Sequence, residues 1–331
     1  MAYLAKRAGQ SVITILMVIT ITFMLVRLMP GGPMVSLRAQ LVQQGMSSTE
    51  ANELIQTYLR ANPQDPLYVQ YFEYVTRTLQ GDLGVSIWYD KPVIDIVARA
   101  LPWTVFIMSS SLALSFGIGI LGGAAMAYLE GSRFDVTTSL VSTFVTSVPY
   151  YLFAIGFLFL FGYQLGWFPT SGQYNYQYTP GLNIEFVGSA FRHAVLPVFS
   201  LVLTSFGNWA LLMRSNSIQV LGSDYLRVAR LSGLSERTII TRYVTVNAIL
   251  PMYTNLMISI GFLFGGSVVL EQIFTYEGLG YFIFDAIEHR DYPLLMGGFL
   301  IITVAVVTAL LIADLTYSRI DPRTATEGEA Q

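Results

Sequence analysis

Six apolar runs, each long enough to cross a lipid bilayer, set the terms on which this 331-residue chain can fold. They cover about residues 9–29, 103–129, 134–163, 194–213, 248–270 and 294–317. A helix crosses the hydrocarbon core with roughly 17–25 mostly apolar residues. With no water there to satisfy the backbone, such runs fold as helices. The expected fold class is therefore an all-α integral membrane protein with six transmembrane helices. Composition points the same way: 53% of the residues are hydrophobic and 12% charged, where soluble chains carry about 25% charge. The absence of cysteine excludes disulfides, thiolate metal sites and a Cys nucleophile. A net charge of −3 argues against nucleic acid as a partner.

Orientation follows from the flanking charges. Lys6 and Arg7 precede the first run, and Met29-Pro30-Gly31-Gly32-Pro33 offers no small-x-small cleavage site. The first run thus reads as an uncleaved anchor with the N-terminus inside, and Arg27 near its outer end snorkels. Arg214, Arg227, Arg230, Arg237 and Arg242 crowd the short loop 214–242, which the positive-inside rule places in the cytoplasm. With six spans both termini are cytoplasmic. The expected organisation is a first segment 1–29 and a helical extracytoplasmic insertion 30–101. A transmembrane core 102–317 contains a cytoplasmic loop 214–247 between the fourth and fifth spans, and a tail 318–331 follows. In the insertion, Ser47–Thr49 and Glu50 can start a helix with Leu54, Ile55, Tyr58 and Leu59 on one face. Tyr68, Phe72, Val75 and Leu79 mark the apolar side of a second, after the turn Asn62-Pro63-Gln64-Asp65-Pro66.

Between the fourth and fifth runs lies a polar island, residues 223–251. It reads as two short helices broken at Gly233. Ser223 or Asp224 can cap the first, and Gly233 suits its left-handed end. Ser235 can cap the second, with Glu236 in its first turn. Leu226, Ala229 and Leu231 give the first helix an apolar side, and Ile239, Ile240, Tyr243 and Val244 give the second a helical face. Pattern alone leaves two readings open: a connector lying on lipid headgroups, or a docking element for a partner protein.

Elsewhere, Gly119 and Gly123 have the small-xxx-small spacing that lets helix backbones approach closely. Ser147-Val148-Pro149 implies a kink in the third span. Asp82 and Gly84 suit a tight turn entering the membrane region. Tyr163, Trp167, Phe168, Tyr174, Tyr176 and Tyr178 crowd the outer loop 163–193, as an interfacial belt or as a docking surface. Glu271, near the outer end of a span, is either paired with an arginine or open to a water-filled vestibule. No G-x-x-x-x-G-K-[ST] phosphate loop occurs, and neither lysine, Lys6 or Lys91, could serve one. The two histidines, His193 and His289, both fall on the outer side and read as boundary residues rather than metal ligands.

The island carries Tyr225, Arg227, Ala229, Arg230, Gly233 and Leu234 in the order Y-x-R-x-A-R-x-x-G-L, followed by Asn247, Ala248 and Pro251 as N-A-x-x-P. Further matches are Gly81-Asp82-Leu83-Gly84, Gly278-Leu279-Gly280, Arg290-Asp291-Tyr292-Pro293, and Ala313-Asp314-Leu315 with Asp321-Pro322-Arg323. In these residues the chain resembles the transmembrane permeases of ABC importers, in the peptide/nickel (oligopeptide/dipeptide) branch. Arg227-Val228-Ala229 stands where the wider superfamily has Glu-Ala-Ala, and the distance from Gly233 to Pro251 exceeds that of the sugar-importer form. Both departures fit the peptide/nickel branch. The resemblance implies that Asp224, Tyr225, Arg227, Ala229, Arg230, Gly233, Leu234 and Arg237 couple to an ATPase. It implies that Ser147, Pro149 and Glu271 border the pathway or gate.

By the same resemblance the chain is not an enzyme and binds no metal or cofactor directly. ATP and magnesium act in partner ATPase subunits. The implied partners are a second homologous permease subunit forming a heterodimer, two ABC ATPases, an extracytoplasmic solute-binding protein and the bilayer of a prokaryotic cell membrane. The expected cargo is di- or oligopeptides, with oligosaccharides or nickel as alternatives. An ion-coupled secondary transporter is less favoured, because the middles of the spans are nearly uncharged.

Overall fold

A computed structural model describes residues 2–28, 38–39, 41–43, 45–59, 65–263 and 267–320. The prolines and glycines after Met29, the Asn62–Gln64 part of the turn and the closing Asp321-Pro322-Arg323 lie outside the described residues, as do the side chains of Arg237 and Asp314. The chain forms two compact units: Met1–Thr104 with Phe264–Val268 and Glu277–Gln331, and Val105–Leu263 with Val269–Tyr276.

In the first unit, α1 (Ala2–Leu28) packs against the last helix of the chain. Two short helices follow, α2 (Ser48–Leu59) and α3 (Leu67–Leu79). The expected start of α2 is present as a reciprocal cap. The Ser47 N–H donates to the Glu50 carboxylate at 2.9 Å and the Glu50 N–H donates to Ser47 Oγ at 3.3 Å. These hydrogen bonds hold the exposed Glu50 carboxyl below its ordinary range. Ile55 is buried with Leu41 and Ala51, and Leu54 and Tyr58 pack beside them.

The apolar side expected for α3 is corrected. Tyr68, Phe72 and Leu79 are exposed, while Gln70 and Thr78 are buried. Tyr71 and Tyr74 face inward onto Phe23 of α1, at 5.4 and 5.6 Å between ring centroids. Tyr71 and Thr20 share a hydrogen bond of 2.8 Å, so the Tyr71 ring is partly buried with its polar end satisfied.

The loop before α4 (Val93–Tyr128) turns as the glycines suggested. Gly81 and Gly84 have φ of +85° and +84°, and the Gly84 N–H donates to Asp82 Oδ1 at 3.0 Å. Asp291, fully buried, accepts from Ser86 Oγ at 2.5 Å, the Trp88 N–H at 3.1 Å and the Leu294 N–H at 3.2 Å. Nearby, Tyr89 donates to Asp285 at 2.6 Å, and burial together with that carboxylate pushes its phenol up, keeping it a donor. The start of α4 completes a core with α11 (Leu279–Glu288) and α12 (Tyr292–Ile320), through Val93, Ile96, Val97, Ala100, Leu279, Ile283 and Leu294.

The second unit contains the rest of α4, then α5 (Arg133–Ser147), α6 (Tyr150–Phe157) continued by a π-helical segment Leu158–Gln164, and α7 (Ile184–Leu221). Beyond the polar island come α9 (Thr245–Phe262) and α10 (Val268–Ile273), the latter beginning at the unit boundary. The expected kink at Ser147-Val148-Pro149 is a break of 91°. Val148 is extended, and Pro149 precedes α6, where its missing N–H costs nothing.

Helix α7 is the centre of this unit, with α5, α6 and α9 packed along it. The glycine pair of α4 packs as expected. A Cβ on Gly123 would press into the Ala210 carbonyl and lie 2.7 Å from Met213 Cβ, and one on Gly119 would press into Trp209. Gly207 of α7 likewise admits the Ser142 carbonyl of α5.

Among the described residues three helices, α4, α7 and α12, are long and apolar enough to cross a bilayer unbroken. Counting each bent pair as one span raises the number to five, and the apolar part of α1, Gly9–Met24, is shorter. The outward side chains of α1 and α5, including Ile13, Met17, Leu140 and Phe144, are apolar and exposed, which suits lipid as the surrounding solvent.

Candidate functional site

The polar island folds as a hairpin. Its first arm is α8 (Asp224–Leu231). Ser223 occupies the cap position, but its hydroxyl donates back to the Val220 carbonyl at 2.5 Å and makes no cap bond. Asp224 is the first helical residue, where a carboxylate favours the positive end of the helix. Gly233 ends the arm with φ +79°, and the Leu234 N–H reaches back to the Ala229 carbonyl at 3.3 Å.

The second arm starts as expected: Ser235 Oγ accepts from the Thr238 N–H at 3.3 Å. Glu236 faces Arg230 across the turn, Nε to Oε1 at 3.2 Å, both half exposed. Such an exposed pair orients the arms and adds little stability.

A second α-helix over this arm is not what forms. Beyond the three-residue turn Glu236–Thr238, residues Ile239–Val244 wind as a π-helical segment that runs straight into α9. The i to i+5 spacing of such a segment puts Ile239 and Val244 on one side, both buried, and leaves Tyr243 outside. Ile239 and Val244 close over Leu226 and Ala229, with Val220 and Leu221 of α7 beneath. The hairpin therefore has its own apolar interior and sits on the end of α7.

Its outer side is also apolar. Tyr225, Val228 and Leu231 fall three residues apart on one face and are 44%, 62% and 83% exposed. Leu234 is exposed beside them, and Arg227, Arg230 and Arg242 are exposed around the hairpin. Of the candidate coupling residues, Asp224, Tyr225, Arg227, Arg230, Gly233 and Leu234 are therefore exposed, whereas Ala229 supports the hairpin from inside. Leu231 does not share a side with Leu226 and Ala229 as expected, since eight residues of helix cannot bury both faces. Val228 and Leu231 were not expected on this exposed face, although their spacing from Tyr225 was legible.

The candidate pathway residues are less alike. Ser147 and Pro149 are exposed at the break between α5 and α6, with Ser147 Oγ donating to the Thr143 carbonyl at 2.7 Å. Glu271 is 1% exposed in α10, and its carbonyl accepts the Tyr276 N–H at 2.7 Å. It is buried, not open to a vestibule.

At the other end of α7, the aromatic loop folds over the start of that helix. Tyr174 contacts Tyr176 and Phe186, Trp167 packs on Phe161, and Arg192 donates to the Trp167 carbonyl at 3.0 Å. An open cleft of about 750 Å³ lies between Tyr174, Tyr176, Tyr178, Glu185, Arg192 and His193. His193 Nδ1 is engaged by the Ser189 carbonyl at 2.8 Å, and His289 is stacked on Trp88 and faces Asp285. Among the described residues no three metal-ligating side chains gather.

Comparison with known proteins identifies the hairpin's context. Residues 119–326 match the family described as the binding-protein-dependent transport system inner membrane component. The oligopeptide transport system permease protein AppB of Bacillus subtilis is 33% identical over 97% of this chain and 98% of its own length. The dipeptide transport system permease protein DppB of Alkalihalophilus pseudofirmus is 29% identical over 98% and 99%. The glutathione transport system permease protein GsiC of Escherichia coli is 29% identical over 97% of each chain. With a family match across most of its length and relatives similar from end to end, this chain belongs to the inner membrane components of binding-protein-dependent transport systems.

Proposed function

We propose that this permease subunit imports di- or oligopeptides, and that the hairpin 224–244 is where a cytoplasmic ATPase pushes on it. The peptide cargo rests on relatives named for oligopeptide, dipeptide and glutathione transport. The subunit contributes no phosphate loop of its own, so ATP and magnesium act in the ATPases. A second, homologous permease completes the membrane pathway as a heterodimer, and a solute-binding protein delivers cargo from outside. We read α1 and each bent pair as one span apiece, six in all, with both termini and the hairpin in the cytoplasm and residues 30–101 outside.

One observation carries the coupling role: an exposed row of Tyr225, Val228 and Leu231 on a hairpin whose inner side is already filled. A helix left resting on lipid would need one apolar face. This one has two, the inner seated on α7 and the outer offered to a partner with arginines at its edge. Closure of the ATPases on ATP would move the hairpin as one body. The permease would then alternate between inward-open and outward-open states, whose balance the nucleotide sets. Glu271, Ser147 and Pro149 are the chain's candidates for the moving pathway wall.

Leu231→Asp tests the docking face. Leu231 touches little in the subunit itself, so the variant should insert normally. Burying a leucine is worth about 1.5–3 kcal/mol, and an unpaired carboxylate in its place costs more. Co-purification of the ATPases should fall at least several-fold and uptake with it. Full ATPase retention by the variant would remove the docking assignment.

A further inference from the structure

The inner end of α7 is held to its neighbours by polar ties that neither the docking face nor the pathway uses. Arg214 grips Asp135 at the start of α5 through two parallel contacts, Nε to Oδ1 at 2.5 Å and Nη2 to Oδ2 at 2.8 Å. Asp135 is 2% exposed and also accepts the Gly131 N–H at 3.0 Å, while Ser139 Oγ lies 3.5 Å away. Its own N–H is capped by Ser132 Oγ at 3.2 Å. The carboxylate thus closes the turn between α4 and α5 and fastens it to α7 together. Two residues beyond Arg214, Asn216 Nδ2 donates to the Ala248 carbonyl of α9 at 3.0 Å. That ties α7 to the helix leaving the hairpin.

With Asp135 buried and the Arg214 side chain 29% exposed, the pair is a poor device for stability alone, because desolvating the carboxylate cancels much of the attraction. What a two-pronged arginine–carboxylate contact supplies is geometry, since the planar fork accepts one register and one angle. Arg214 sits seven residues before the end of an unbroken helix on which the hairpin is seated, so displacement of the hairpin reaches it with little loss. Its partner begins α5, the helix that ends at the 91° break beside Ser147 and Pro149.

We propose that the Asp135–Arg214 pair is a positioning latch that makes α5 and the break follow the hairpin, converting the ATPase stroke into opening of the pathway. The proposal rests on the coupling role assigned above to residues 224–244. Arg214 and Asp135 are positioning residues; neither touches cargo or nucleotide.

The test uses the complete transporter, with its ATPases and binding protein, reconstituted in vesicles, and reads peptide taken up per ATP hydrolysed. Asp135→Asn keeps the shape and one hydrogen bond but removes the charge. It should keep the ATPases bound while lowering uptake per ATP about ten-fold, within the ordinary range of coupling between sites. Arg214→Lys, which keeps charge without the fork, should fall between. The exchange Asp135→Arg with Arg214→Asp should recover most of the ratio.

An unchanged ratio in Asp135→Asn overturns the latch. So does loss of ATPase binding in that variant, which would assign the pair to docking. If Asp135→Asn fails to accumulate in the membrane, the exchange decides. Recovery of protein and ratio together supports the latch, and recovery of protein alone makes the pair purely structural. Failure of the coupling role shows separately, as Leu231→Asp retaining its ATPases.

Discussion

At Gly233 the constraint is the backbone and not the space around it. Its φ of +79° lies where a side chain is strained, yet a Cβ there would meet no atom within 4 Å. Size and conformation can therefore be separated by substitution. Asn enters the left-handed region with little penalty, whereas a β-branched residue pays about 1–3 kcal/mol for local strain. Gly233→Asn should transport close to the wild type, and Gly233→Val should release the ATPases or lower uptake, as measured by co-purification and vesicle uptake. Equal loss in both would mean that the glycine is needed for close approach of a partner and not for its angle. The left-handed role of Gly233 was legible because a glycine at the end of one helical run, two residues before the capping Ser235, has few other uses. The Asp135–Arg214 pair was not, since its members stand 79 positions apart and no local pattern joins them.

The elements show where periodicity informs and where it misleads. Long apolar runs located α4, α7 and α12, because a run of that length admits only a helix in lipid. Their ends were misjudged: α4 and α7 extend well beyond the apolar part, as Val93–Tyr128 and Ile184–Leu221. Polar residues continue a helix at no cost once it leaves the hydrocarbon. In α3 the apolar stripe pointed to the wrong face, since Tyr71 and Tyr74, packed on Phe23 with the Tyr71 hydroxyl bonded to Thr20, outweighed Phe72 and Leu79 for burial. The π-helical segment after Thr238 was hidden for another reason. An added residue per turn changes which side chains align without changing the composition. Close helix crossings, in contrast, were written in glycine, and they make a firm prediction. Gly123→Leu forces atoms into the Ala210 carbonyl and Met213, and overpacking of this kind costs about 1–3 kcal/mol. The variant should unfold at a lower temperature in detergent, whereas Gly117→Leu, with nothing within 4 Å of its Cβ, should not. Matching melting temperatures for the two would show that α4 and α7 do not cross at this point.

For the whole molecule, everything mechanical depends on which side of the membrane the two ends of α7 face. This helix is 38 residues long, about 57 Å at 1.5 Å per residue, more than the roughly 30 Å of hydrocarbon it must cross. If α7 crosses, both ends project into water: the aromatic loop and its cleft at one, the arginine-bearing hairpin at the other. The proposed function needs the hairpin in the cytoplasm, and the absence of cysteine supplies a clean background for checking it. A single cysteine at Gln177, exposed in the aromatic loop, and one at Ser235, exposed at the hairpin turn, report on opposite ends of one rigid rod. A maleimide that cannot cross membranes should label Gln177→Cys in intact cells and Ser235→Cys only after permeabilisation. Because the two probes flank the same helix, Ile184–Leu221, their results must be complementary if α7 spans the membrane at all. Labelling of Ser235→Cys from outside would invert the molecule and leave an ATPase nothing to push. Labelling of both from one side would show that α7 does not cross, and with it the route from hairpin to latch to pathway would be lost.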